Sequence, residues 1–368
     1  MEKRAHNFFA GPAALPLEVL QEVQAELLNF AGTGVSVMEI SHRSKDFEKV
    51  MNEAEEDLLK ILNLSKEEYA VVFLGGGATH QFIMLAMNSL NKEDVADYIV
   101  TGQWAERAWE EGSFWGDAKI VATSKNEPKA FNKLPEIKTE NMSDNAKYLH
   151  FTSNNTIYGT QFWSFPTPKP GVPLVCDMSS DFLSRDFDAT KFDMIYAGAQ
   201  KNVGPAGVAI AVIKRSFAEK VFTRKLPKTL DYKVQIKKGS MFNTPPCFNI
   251  YVTGKVFKWI LKQGGLKAIE AVNRKKAEII YGAIDAHADF YKGYVVEKSH
   301  RSWMNVCFNL PTEELEAKFV SEAKAKGMLG LKGYRDLGGI RASTYNAVSV
   351  ESVQLLADFM EEFYKVNK

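Results

Sequence analysis

Seven short apolar runs, most of them followed by a glycine turn or a stretch with helical spacing, constrain this chain more than any other feature. They are AVVFL at 70–74, DYIV before Gly102, KIVAT, KYLHFT, PLVCDMS, MIYA at 194–197 and VAIAVIK. A strand with one wet face alternates apolar and polar residues, whereas a strand covered on both faces reads as an unbroken apolar run. The repetition of strand then helix predicts an α/β fold, a largely parallel sheet covered by helices. Ligands of such sheets bind beyond the carboxyl ends of the strands, so the residues there are the first candidates for function.

The most informative of these ends carries Lys201. Gly198, Gly204, Pro205 and Gly207 break regular structure on both sides of it, and its neighbours Gln200 and Asn202 offer hydrogen bonds but no carboxylate. Nothing adjacent in sequence holds the amine as a paired ammonium, which suits a lysine that must shed its proton to form a Schiff base. The same pattern also describes an ordinary solvated loop lysine, so the other strand ends have to decide. After the run at 70–74 come three glycines and a helix from about Ala78, a turn whose amides and helix dipole suit a phosphate. It lacks the GKS or GKT of a P-loop and the downstream acid of a dinucleotide fold. Trp104 follows the next strand, where an aromatic ring can stack on a flat cofactor; Thr156 lies in the NNTIYG loop, and Asp177 closes PLVCD. An amide cluster, a stacking ring, a carboxylate and a lysine are the parts of a pyridoxal 5'-phosphate site, in which the carboxylate keeps the pyridine nitrogen protonated.

A chain of 368 residues with 45% apolar residues exceeds one ordinary compact unit, so two domains are expected. Its 46 lysines and arginines balance 45 acids, leaving no global field for nucleic acid or an anionic membrane. With no apolar run of spanning length and no secretory h-region, no membrane association and a cytoplasmic location are expected. Cys176, Cys247 and Cys307 are far apart without a CxxC pair, and the histidines lack ligand spacing, so no disulfide framework and no metal are expected. Helices are predicted over 18–30, 47–62, 217–226, 267–287 and 312–326. Pro245 and Pro246 form a rigid turn that is the expected domain boundary, and from about 255 the pattern changes to amphipathic helices and the short strands VVEK and MNVCFNL, a smaller α+β domain. Its end, GLKGYRDLGGIRASTYNAV, gathers Tyr334, Arg335 and Arg341, while His42 and Arg43 occupy an earlier turn that is either an anion site or simply solvated.

NFFAGPAALP, EISHRSKDF, GGGATHQF, HFTSNNTIYGTQF, CDMSSDFLSR, YAGAQKNVGPAGV, MFNTPPCF and GGIRASTYNAV resemble, in the same order, the blocks of the phosphoserine aminotransferase family of class V, fold type I. The resemblance implies a large cofactor domain at 16–255 with a mostly parallel seven-stranded sheet, and a small domain from 1–15 and 256–368. It implies that Lys201 carries pyridoxal 5'-phosphate, Asp177 pairs with the pyridine nitrogen and Trp104 stacks on the ring. Thr156 and Gln200 would contact the ring and its substituents, and Ala78 and Thr79 the phosphate. A homodimer is implied, with Asn243 and Thr244 of one subunit at the other's cofactor phosphate. Arg341 resembles the arginine for the substrate α-carboxylate; His42, Arg43 and Arg335 resemble the group for the distal phosphate or γ-carboxylate. The implied substrates are phosphoserine, glutamate, 2-oxoglutarate and 3-phosphohydroxypyruvate, with a phosphorylated hydroxythreonine of pyridoxine synthesis left open. Two positions depart from the pattern: many relatives carry an arginine near Thr79 and a histidine where Tyr334 stands here. Another class V enzyme, such as an alanine:glyoxylate aminotransferase or a cysteine desulfurase using Cys247, and a non-catalytic ligand-binding relative are the alternatives.

Overall fold

The structure, a computed structural model, describes residues 4–125 and 130–368. Its strands are β1 (His6–Asn7), β2 (Tyr69–Gly75), β3 (Val95–Val100), β4 (Asp117–Thr123), β5 (Leu149–Thr152), β6 (Leu174–Asp177), β7 (Met194–Gly198), β8 (Val208–Lys214), β9 (Lys292–Gly293), β10 (Asn305–Asn309), β11 (Met328–Leu329) and β12 (Ile340–Ser343). Its helices are α1 (Leu17–Glu26), α2 (Lys45–Leu62), α3 (Ala78–Ser89), α4 (Gln103–Ser113), α5 (Arg215–Val221), α6 (Tyr232–Lys237), α7 (Cys247–Lys262), α8 (Leu266–Ala286), α9 (Glu313–Ala325) and α10 (Val350–Asn367).

The seven apolar runs become one seven-stranded sheet in the order β2-β8-β7-β6-β5-β3-β4. Every pairing is parallel except those of β8, which runs antiparallel to both β2 and β7. Because β8 alone is reversed, β2, β3, β5, β6 and β7 all point their carboxyl ends to the same edge. Side chains alternate across a strand, so each apolar run feeds two cores at once. Val71, Phe73, Phe151, Cys176, Ile195 and Ile210 face one core, shared with Phe47, Leu58, Ile250 and Phe257 of α2 and α7. Val72, Leu74, Tyr98, Val175, Tyr196 and Ala211 face the other, with Phe82 and Leu85 of α3, Ala108 of α4 and Phe217 of α5.

A third core joins Phe8 to Ile280, Ile284, Val306, Phe319, Ile340, Leu356 and Phe363, under the small sheet β12-β10-β9 and the β1-β11 pair. Leu266 and Ile269 at the start of α8 belong to the large-sheet core, and Ile280 and Ile284 near its end to this third one. α8 therefore spans both. A division at 255/256 falls inside α7, whose Val256, Phe257 and Ile260 still pack under the large sheet.

Three local expectations change. VVEK forms no strand: Val296 N donates to Asn132 O, 3.0 Å away, and the ladder to β10 is made earlier by β9. The helix expected over 217–226 stops at Val221, since Phe222 turns into the core. The one expected over 18–30 ends at Glu26, and a separate 3-10 turn covers Phe30–Gly32.

Candidate active site

Lys201 sits on the turn between β7 and β8, which Val203 N and Gly204 N close by donating to Ala199 O at 3.2 and 2.8 Å. Its Nζ donates to Thr156 Oγ1 at 2.5 Å. Burial pulls the amine down from 10.5 to about 8; Asp177 and Asp181 work against that fall, and Arg341 adds to it. An amine of this kind is partly unprotonated near neutral pH, the condition for attack on a carbonyl. Gly11, at φ +135°, packs so tightly on the stem that a Cβ there would lie 3.3 Å from Lys201 Cγ.

Asp177 ends β6, buried on the same edge. Its Oδ1 accepts from Ser179 N at 2.9 Å and from Ser179 Oγ at 2.6 Å. Burial raises its pKa, while the Ser179 bonds and the Lys201 charge lower it. Both Ser179 bonds land on Oδ1, so Oδ2 is the oxygen available to a ring N–H. Thr156 joins the cluster twice, accepting from Lys201 through its hydroxyl and from Arg341 Nη1 through its carbonyl at 3.3 Å. The Arg341 Nε is enclosed and, among the described residues, has no partner. A planar guanidinium with a free N–H suits a carboxylate.

Gln200 stands beside Lys201, its carbonyl accepting from Ala13 N at 2.9 Å and its side chain folded back over Gly198. Trp104 lies in the first turn of α4, with the Arg107 guanidinium 5.3 Å from its ring centroid. Ala78 and Thr79 open α3 just beyond β2, behind the N-cap Gly77. Gly76, at φ +99°, leaves its side-chain space to His80, whose Nδ1 would lie 1.8 Å from a Cβ there. Asn243 and Thr244 are exposed, and Asn243 shares with His80 a cavity of about 270 Å³.

The distal group is not tied to this cluster. Arg43 is exposed, and Arg335, 94% exposed, pairs among the described residues with Asp336 at 3.5 Å. His42 Nε2 is enclosed without a partner among the described residues. Tyr334 lies closer in, its ring 6.0 Å from the Arg341 guanidinium. Sequence reasoning gave no role to Gly11, Ser179 or Tyr345. Ser179 had a readable signal, two residues after the strand-end acid in CDMSS; the other two act only through space. The desulfurase alternative loses its residue, because Cys247 donates its thiol to Pro245 O and burial pushes that thiol up rather than down.

The model of the aminotransferases of class V matches residues 5–356. A phosphoserine aminotransferase of Herpetosiphon aurantiacus is 50% identical over 358 residues, 97% of this chain and 98% of its own length. The solved phosphoserine aminotransferase of Bacillus circulans subsp. alkalophilus superposes with a TM-score of 0.94 at 46% identity, covering 99% of both chains. A phosphoserine aminotransferase of Trichomonas vaginalis, solved with pyridoxal phosphate bound, gives a TM-score of 0.89 at 36% identity over 97% of this chain and 100% of its own. The chain belongs to the class V aminotransferases, and among them to the phosphoserine aminotransferase family.

Proposed function

We infer that this chain is a pyridoxal-phosphate transaminase that moves an amino group reversibly between L-glutamate and 3-phosphohydroxypyruvate, giving O-phospho-L-serine and 2-oxoglutarate for serine synthesis. The observation that carries the reading is Lys201: an amine lowered to about 8, bonded to Thr156 and set in the field of a buried strand-end carboxylate. The residues present fit the cofactor, since Asp177 keeps one carboxylate oxygen for a ring N–H and the first turn of α3 offers Ala78 and Thr79 amides to a phosphate. When bound, pyridoxal phosphate supplies the electron sink that stabilises negative charge at the substrate Cα. Asp177 holds the proton on the ring nitrogen. Lys201 moves the proton to and from the substrate Cα as general base and acid. Thr156 and Gln200 would contact the ring and its substituents, Trp104 would stack on the ring, and Arg341 would grip the α-carboxylate.

On this reading His42, Arg43 and Arg335 serve the distal anion, and the test is substrate-selective. Each charge-assisted bond to a phosphate contributes about 1.5 to 3 kcal/mol. Arg43→Ala and Arg335→Ala should therefore each lower kcat/KM for phosphoserine by roughly ten- to a hundredfold and leave alanine, which has no distal group, nearly unchanged. Arg341→Ala should harm phosphoserine, glutamate and alanine alike. Equal losses for phosphoserine and alanine in the Arg43 variant would refute its role. Retention of parental phosphoserine kinetics in both variants would make Arg43 and Arg335 mere surface charges.

A homodimer with shared sites is part of the same proposal. Asn243 and Thr244 are exposed, and Leu28 (83% exposed) and Met38 (57%) are large apolar side chains left on the surface. Mixing Lys201→Ala subunits with subunits of an inactive Asn243→Ala/Thr244→Ala variant should restore activity, because one site of each mixed dimer is intact. No recovery after demonstrated subunit exchange would exclude sharing. A cytoplasmic location completes the proposal and is checked by cell fractionation; no helix among the described residues is long and apolar enough to cross a membrane.

A further inference from the structure

Lys276 is wholly enclosed on α8, and its three hydrogen bonds all run to backbone carbonyls: Thr344 O at 2.9 Å, Tyr345 O at 2.8 Å and Val348 O at 3.0 Å. An ammonium has three donors, and all three are used. Burying one is costly unless its hydrogen bonds are made, and an apolar residue would fill the same space without that penalty. What the lysine contributes must lie in what it holds.

The loop it holds touches three neighbours of Lys201. Asn346 N donates to Asn202 Oδ1 at 3.0 Å, and Asn202 is the next residue after Lys201. The Tyr345 hydroxyl donates to Ala10 O at 2.8 Å, beside the Gly11 that packs on the Lys201 stem. The same hydroxyl interacts with Thr156, the acceptor for Lys201 Nζ. One turn before Lys276, Asn273 donates to Asn346 Oδ1 at 2.8 Å and to Ser184 O at 2.7 Å, so one face of α8 grips the loop twice.

We propose that Lys276 is a positioning residue for the transamination: by gathering three carbonyls of the 344–348 loop it fixes the contacts that hold Lys201, Thr156 and Gly11 against one another. The proposal rests on the reading of Lys201 as the reacting amine. Burial pulls the Lys276 amine down to about 7, while its three carbonyl acceptors favour the protonated form.

The test uses Lys276→Met, which keeps the bulk and removes the donors, Asn346→Ala, and the double variant. A shift of about 1 Å in a reacting group costs on the order of a hundredfold. Each single variant should lower kcat by about ten- to a hundredfold with KM within roughly threefold of the parent, and the double should lose no more than the worse single. In the cofactor-free proteins, amide hydrogen exchange over 199–204 should quicken by about tenfold or more in both single variants. Parental kcat and exchange in Lys276→Met, a loss confined to KM, or losses that multiply in the double would overturn the proposal. If Lys276→Met fails to fold, Asn346→Ala decides, with parental kcat and exchange again overturning it. If the parent itself lacks transaminase activity, the reading of Lys201 falls, and the exchange data still decide whether the loop holds the 199–204 turn.

Discussion

Lys201→Ala is expected to lower turnover by at least about ten-thousandfold while the protein stays folded, because one residue both carries the cofactor and moves the proton at the substrate Cα. Folding should survive, since the lysine is half-buried and its ammonium is penalised by burial, so removing it sacrifices mainly the bond to Thr156. The same burial makes a pH prediction for the cofactor-free protein. With the folded amine near 8 and its ordinary value 10.5, the unfolded chain binds more protons between those two values. Stability of the parent relative to Lys201→Ala therefore rises with pH across that window. Urea unfolding of both proteins at pH 7.5 and pH 10 reads this difference directly. Parental turnover in Lys201→Ala would end the assignment, and a stability difference that does not change with pH would show that the amine is not held down.

The large sheet was legible because all its strands but the edge strand β4 are buried on both faces and so read as unbroken apolar runs, and because glycine turns mark the carboxyl ends of β2, β3 and β7. Lys201, Asp177 and Thr156 were found as strand-end residues for the same reason, and the structure brings them together with Arg341. The region around the third core was less legible. Its strands β1, β9 and β11 have two residues each, too short for any periodicity, and VVEK looked like a strand although its backbone is spent on the 132 loop. The passage from the large-sheet core to the third core was hidden inside α8, since an amphipathic helix that runs from one core to the next keeps a single pattern. Gly11, Tyr345, Asn346 and Lys276 left no local signal at all. Their roles come from contacts between residues far apart in the chain, and Lys276 resembles every other lysine on an amphipathic helix until its three carbonyl partners are seen.

Asp177→Asn should be the second most damaging change, lowering kcat by about a thousandfold or more while leaving stability nearly intact. The side chain is 3% exposed, and burial penalises its charge, so a neutral amide of the same shape removes a desolvation cost as it removes the anion. The bonds from Ser179 N and Oγ can still be accepted by the amide oxygen. What asparagine cannot do is keep a proton on a basic ring nitrogen, because it offers no negative charge to stabilise the cation. A second consequence concerns Lys201, whose amine Asp177 holds up against burial; in the cofactor-free variant it should titrate below the parental value of about 8. Asp177→Glu restores the charge but moves it by one methylene, so it should recover part of kcat if charge matters and little if position dominates. Steady-state kinetics, urea midpoints and the pH dependence of amine labelling at Lys201 distinguish these outcomes. Unchanged kcat with a large fall in the urea midpoint of Asp177→Asn would make the carboxylate a structural group that closes the end of β6, and the proton-holding role would have to pass to another residue.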